Sequence, residues 1–243
     1  MHLPFGDDEL IGLVLDAFED IGIDRLVING DLLDFINVNL HGPKSPVIQE
    51  TLLDELEAGR EFIELVRAKF PKAEIVFLYG NHEDRLERFI LKHSKVFWNI
   101  LRLENMLELE KHKVEFYEYN YCYQLEKTNL YIQHSPPSYG ENGARTSLLK
   151  KLDASFIYGC THRKQVSCLT GFSGEVYTVY FNGWLGSTTA TPAHTKVFSY
   201  AKGHSNWQHS AAVVTVIDGK EFFVDQLDIK NNRLLLDGAI YEA

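Results

Sequence analysis

The chain has 243 residues, 45% of them apolar and 24% charged, the make-up of a folded globular protein rather than a disordered polar tract. Its net charge of −10, with histidines neutral, repels a phosphate backbone; nucleic acid is a possible partner but not the favoured one. No apolar run approaches the roughly eighteen residues of a membrane-crossing helix, so no membrane partner is expected.

In chain order, residues 7–21 predict an amphipathic helix. Leu10, Val14 and Phe18 fall four apart with Ile11 and Leu15 beside them, and Asp7 and Asp8 suit its positive end. Arg25–Asn29 reads as a strand running into Gly30-Asp31-Leu32-Leu33-Asp34. Residues 36–47, with Gly42, Pro43 and Pro46, have no sustained periodicity and form a long loop of the kind that is more often functional than connective. A helix is expected over 48–69, ending before Pro71. The apolar run at 74–79 reads as a strand buried on both faces. Residues 83–110 are expected to be mostly helical, with strands at 114–117, 121–125 and 129–133, a helix at 142–152 and a strand at 155–158. Beyond about residue 165 helical periodicity disappears. Strands are expected at 176–181, 211–217 and 221–227, with Asp218-Gly219 as a hairpin turn between the last two. No Pro/Gly/Ser-rich linker divides the chain, so 1–243 is read as a single domain: an α/β portion to residue 165 and a mainly β portion from 166.

Three cysteines, Cys122, Cys160 and Cys168, are few, odd in number and irregularly spaced, which points to a reducing compartment without a disulfide framework. The first eight residues lack the basic segment and apolar core of a signal peptide, so the expected location is cytoplasmic.

The chemistry gathers where strands end. Strand 25–29 delivers Asp31 and Asp34. Strand 74–79 delivers Asn81 and His82 within Gly80-Asn81-His82-Glu83. Strand 129–133 delivers His134, and strand 155–158 delivers Cys160 and His162 within Gly159-Cys160-Thr161-His162. Open α/β sheets place their ligand sites at the carboxyl ends of strands. Carboxylate, amide oxygen and imidazole together suit Mn, Fe, Zn or Mg.

These motifs, in this order over residues 2–162, resemble the calcineurin-like metallophosphoesterases, whose pattern is D-x-H, G-D-x-x-D, G-N-H-E/D, a histidine, then G-H-x-H. The tail, including Asn206-Trp207-Gln208, is similar to a subgroup common in phage and bacterial genomes. The resemblance implies a four-layer α-β-β-α sandwich of two mixed sheets and two divalent metal ions. Asp31 would bridge the ions, His2 and His162 would complete the first site, and Asn81 and His134 would serve the second. His82 would protonate the leaving oxygen and Asp34 would orient it. Two cations roughly 3.5–4 Å apart would clamp a phosphate mono- or diester and activate a water for in-line attack. A histidine held by a carboxylate suits proton donation near neutral pH. A nuclease-type phosphodiesterase is one alternative, and a non-catalytic, metal-poor protein is another.

The sequence departs from the pattern twice. His2 fits the histidine of D-x-H, which places the aspartate before Met1; the expectation is that the numbering starts at an internal methionine, the alternative being a weakened first site. Cys160 stands where the family has a histidine, and either a thiolate ligand for Zn or Fe or an inert buried cysteine is open.

Arg85, Arg145 and Arg163 are candidate phosphate ligands, since guanidinium matches phosphate bidentately. Arg88 is expected to pair with a neighbouring carboxylate. His41, His194, His204 and His209 read as solvated, and Trp184 and Trp207 as aromatic core. Loops 36–47, 135–145 and 187–209 are expected to set specificity.

Overall fold

The computed structural model describes residues 1–38, 51–151, 153–187 and 206–243. Much of the expected specificity loops at 36–47 and 187–209, with His41, His194 and His204, lies outside these residues. The α/β expectation holds: helices and several sheets are present, and the chain divides into two compact units. The first takes Met1–Tyr119 and the segment from Leu185; the second takes Asn120–Trp184 and Asn206–Ala243. Among the described residues no helix is long and apolar enough to cross a membrane.

The first unit is built on a parallel sheet of β1 (Arg25–Asn29), β2 (Glu74–Leu78) and β3 (Val114–Tyr117), in that order. The central strand is buried at all four positions from Ile75 to Leu78, whereas β1 alternates, as expected for a middle strand beside an outer one. Pairing aligns Asn29 with Leu78. The segments leaving these two neighbouring strands, 30–34 and 79–85, therefore start side by side.

Helix α1 (Asp8–Ile21) starts where the Asp7 side chain accepts the Leu10 N–H and ends at Gly22 in a left-handed conformation (φ 69°). Its stripe of Leu10, Ile11, Val14, Leu15 and Phe18 is buried. Helix α2 (Leu52–Lys69) opens with a capping box between Thr51 and Asp54. Near its end, Arg67 donates to the carbonyls of Phe70, Ala73, His112 and Lys113 and so fixes the entries to β2 and β3. The helical stretch expected over 83–110 is interrupted. It comprises α3 (Asn81–His93), a 3-10 turn at Lys95–Phe97 and the short α4 (Leu103–Met106).

The second unit holds a mixed sheet in the order β4-β5-β6-β8-β7: β4 (Tyr123–Gln124), β5 (Leu130–Gln133), β6 (Ser155–Tyr158), β7 (Gln165–Thr170) and β8 (Val176–Phe181). Strands β5, β6 and β8 are parallel; the two outer strands run against them. Helix α5 (Gly143–Lys150) contributes Ala144 and Leu148 to a core with Phe156, Tyr158, Val179 and Phe181.

The tail forms a separate antiparallel sheet of β9 (Ser210–Ile217), β10 (Glu221–Lys230), β11 (Arg233–Leu236) and β12 (Ala239–Glu242). Its turns are of the primed kind, with both central residues at positive φ: Asp218-Gly219, Asn231-Asn232 and Asp237-Gly238. Strands β7, β11 and β12 are additions to the sequence reading.

Candidate metal centre

In the first unit, residues 1–3 run beside the segment that leaves β1. Leu3 bridges Leu33 in parallel, the His2 N–H donates to the Asp31 carbonyl (2.9 Å), and the Asp34 N–H donates to the Leu3 carbonyl (3.1 Å). This brings His2, Asp31, Asp34, His82 and Arg85 together. Asn81 is the first residue of α3, adjoining them.

The frame is Glu83, which is fully buried. One carboxylate oxygen accepts the N–H groups of Asp31 (2.9 Å) and Gly80 (2.7 Å), and the other accepts that of Leu33 (3.1 Å). A single carboxylate thus locks Gly30–Asp34 onto the start of α3. Gly80 is required beside it, because a Cβ there would strike the Asp31 backbone nitrogen and carboxylate. Sequence reasoning misses this role and reads Glu83 only as part of the Gly80-Asn81-His82-Glu83 motif. The signal lies in its place three residues after the helix cap, the N3 position of a capping box.

Glu55 does the same job for the next stretch of backbone. Its buried carboxylate accepts the Phe35 N–H and the Asn37 side-chain amide. Burial pushes its carboxyl up to about 8, with the Asp34 charge adding to the effect.

Asp34 holds the Nδ1 side of both histidine rings, through its carboxylate for His2 and its carbonyl for His82, while both Nε2 atoms turn towards Asp31. The His2 Nδ1 lies 3.2 Å from Asp34 Oδ2. Burial would raise the Asp34 carboxyl, but the His2 hydrogen bond, with His82 and His2 in their protonated forms and Arg85 nearby, outweighs it and holds that carboxyl below the usual range. His2 itself is lowered to about 4, chiefly by burial. A neutral His2 whose Nδ1–H faces a carboxylate presents its Nε2 lone pair on the other side, 3.8 Å from Asp31 Oδ2. Two acceptors facing each other repel unless a proton or cation lies between them. Ligand atoms each about 2.1 Å from one ion lie within roughly 4.2 Å of each other, so this pair fits a divalent cation. A carboxylate behind a ligating histidine is also the usual second layer of a metal site.

His82 is the third member. Single ligand atoms of His2, Asp31 and His82 all lie within 4.8 Å of one another. Its ring is held differently, however. Nδ1 lies 2.6 Å from the Asp34 carbonyl, which only accepts, so Nδ1 carries the hydrogen. Nε2 then accepts from Arg85 Nη2 at 3.1 Å, while Arg85 Nη1 donates to the same Asp34 carbonyl at 3.1 Å. A guanidinium hydrogen bonded to Nε2 uses the lone pair a metal would need. The His82 N–H donates to Asp31 Oδ1 (3.0 Å), and the His2 and His82 rings meet edge to face at 4.6 Å. Arg88 pairs with Asp84 at 2.8 Å, as expected.

In the second unit, His134 is buried at the end of β5 and its carbonyl accepts the Gly159 N–H (3.0 Å), which joins the exits of β5 and β6. Cys160 and His162 follow, and the His162 carbonyl accepts the Gln208 N–H (2.9 Å). The His162 ring stacks on Trp184 at 4.9 Å and meets Trp207 edge-on at 4.3 Å. Trp184 is buried, as read from the sequence, but its partner is a candidate ligand rather than a general core. Two of the candidate phosphate ligands are engaged with backbone: Arg145 donates to the Cys168 carbonyl (3.4 Å) and Arg163 to the Tyr139 carbonyl (3.1 Å).

Backbone conformation is unusual at several of these residues, as it also is at Glu108, Lys113, Asn120 and Glu126 elsewhere. His2, Asp31, Phe35, Cys160 and His162 all have positive φ, between 48° and 62°. This region costs an L-residue about 1–2 kcal/mol and clusters at functional sites. No sequence signal announces it at histidine, phenylalanine or cysteine.

No family model matches the chain, and no curated protein matches it. Two solved structures of Vps29 from Entamoeba histolytica are similar at low level. A single mutant has 17% identity and a TM-score of 0.34, covering 89% of this chain and 94% of that one. A double mutant has 17% identity and a TM-score of 0.33, covering 74% and 84%. At these values the likeness identifies neither a family nor an activity.

Proposed function

We propose that the protein is a metal-dependent phosphoesterase of the calcineurin-like kind, hydrolysing a phosphate mono- or diester. The observation that carries this reading is the convergence of His2 Nε2 and Asp31 Oδ2 at 3.8 Å beside a histidine braced by Asp34. The substrate class comes from the motif resemblance, to which the braced histidine adds support. His2 and Asp31 would hold a divalent ion, and bound ions would supply positive charge to the phosphate oxygens and an activated water. Asp34 keeps His2 in the tautomer that leaves Nε2 available, and its carbonyl aims the His82 ring. His82, once it carries a proton on Nε2, is the group to protonate the leaving oxygen. Glu83 and Gly80 keep these groups in register. Asn81, His134, Cys160 and His162 enter as ligands on motif position alone, and a cytoplasmic location belongs to the same proposal.

The test is to titrate the protein with Mn²⁺, Zn²⁺ and Fe²⁺ and to follow hydrolysis of nitrophenyl phosphate and bis-nitrophenyl phosphate. At least one tightly bound ion and metal-dependent release of nitrophenol are expected. Protein that retains no ion and hydrolyses neither ester would overturn the reading. Asp34→Asn should weaken metal affinity about 10- to 100-fold, the usual effect of losing a group behind a ligating histidine.

A further inference from the structure

We propose that Arg85 is the anion ligand of this site, and that in its resting position it masks His82 until an anionic substrate draws it away. The inference rests on the reading of His82 as the proton donor. It begins with what Arg85 touches. One edge of its guanidinium spans two acceptors, the Asp34 carbonyl and His82 Nε2, each at 3.1 Å. Both are uncharged. Arg25, Arg88 and Arg102 each sit against a carboxylate. Arg85, like Arg67, Arg145 and Arg163, makes no ion pair among the described residues, but its guanidinium bonds to a side chain of the candidate centre. The Asp34 carboxylate is hydrogen bonded to His2 through Oδ2, and Arg85 acts on it only as a nearby charge.

A guanidinium bonded only to neutral acceptors gains an opposite charge and a matching two-oxygen face when it exchanges them for a phosphate. The side chain is half-buried, so solvent-borne anions reach it. It also lies one helical turn beyond His82 on α3, on the same face. A short swing therefore takes it from the histidine to a substrate.

The resting contact has a consequence for mechanism. While Nη2 occupies the Nε2 lone pair, no other group can engage that nitrogen. The working atom of His82 is exposed only when Arg85 leaves, and an anion is what removes it. Binding of the phosphate and unmasking of the histidine are then one event, which disfavours an exposed, working His82 in the absence of substrate.

The experiment uses the full chain with inorganic phosphate as probe, with and without added Zn²⁺. Phosphate affinity is read by calorimetry and the His82 Nε2 resonance by ¹⁵N-histidine NMR, assigned by its loss in His82→Gln. In the unsubstituted protein, phosphate should shift that resonance. In Arg85→Ala the resonance should already sit at the shifted position, and phosphate should bind about tenfold more weakly, the loss expected for a hydrogen-bonded charge. Arg85→Lys guards against misfolding: it keeps the charge but cannot span two acceptors, so it should show the released resonance before phosphate is added. Phosphate that leaves the unsubstituted His82 resonance in place under both conditions, or that binds Arg85→Ala undiminished, would overturn the proposal. Failure of ester hydrolysis removes the phosphoesterase reading, whereas the His82 response to phosphate judges Arg85 alone.

Discussion

Two regions of the molecule use the same uncommon backbone conformation for different reasons. In the tail, the left-handed residues are Asp218, Asn231, Asn232 and Asp237, types that tolerate positive φ, each in a tight hairpin turn. Around the candidate ligands they are His2, Asp31 and Phe35 in the first unit, and Cys160 and His162 in the second. Here the conformation is imposed from a distance. Glu83 holds Asp31 across 52 positions of sequence, Glu55 holds Phe35 across 20, and Trp184 stacks on His162. Where the residue suits the turn, the turn forms locally. Where the residue is fixed by chemistry, a distant group must hold it.

The sharpest way to break this contrast is to remove a distant group. Glu83→Ala leaves three buried N–H groups without their acceptor and should cost on the order of 3 kcal/mol or more, read by urea or thermal unfolding. Glu83→Gln should recover only a fraction of this, since its amide nitrogen is a donor facing donors. Next in size is Gly80→Ala, where the added methyl meets Asp31 backbone; about 1–3 kcal/mol is expected, with metal affinity falling too.

Glu55 gives a pH signature. Its carboxyl titrates near 4.5 when unfolded and near 8 when folded, so between these values the folded protein holds an extra proton. The stability this contributes is whole below about pH 4.5 and is lost as pH rises through 8. Glu55→Gln should flatten that region of the stability profile; a slope unchanged by the substitution would show that Glu55 ionises freely. The smallest effect belongs to the tail: Asp237→Gly, at φ 50°, should change stability by only a few tenths of a kcal/mol.

The legibility of the sequence follows the same division. Strand ends can be read because an apolar run followed by glycine and polar residues is a local pattern, and 25–29, 114–117, 155–158 and 176–181 match to the residue. Strand β7 escapes because its alternation is inverted: Val166 is exposed while Ser167 is half-buried. Strands β11 and β12 are four residues each, too short for a period, although Asn231-Asn232 and Asp237-Gly238 mark their turns. The break in the 83–110 helix is hidden because apolar residues continue beyond Ser94 with no Gly or Pro to mark it, and the middling helix propensity of Val96, Phe97, Trp98 and Asn99 is too weak a signal alone. At the centre, the identities of Asp31, Asp34 and His82 can be read, but not what holds them. The work of Glu83, Glu55 and Trp184 depends on pairings between segments far apart in the chain.

The Glu83 clamp also depends on strand register. Its three partners lie in two segments that come together only once β1 and β2 have paired in register, because Asn29 must stand opposite Leu78 before Gly30–Leu33 can reach α3. Closing a loop of that length costs entropy that is recovered only when both ends are in place. The centre thus exists only where both segments are paired, and neither segment alone carries it. A metal ion held by His2 and Asp31 would bind the folded chain and not the unfolded one, and would stabilise the protein by an amount that grows with the logarithm of its affinity.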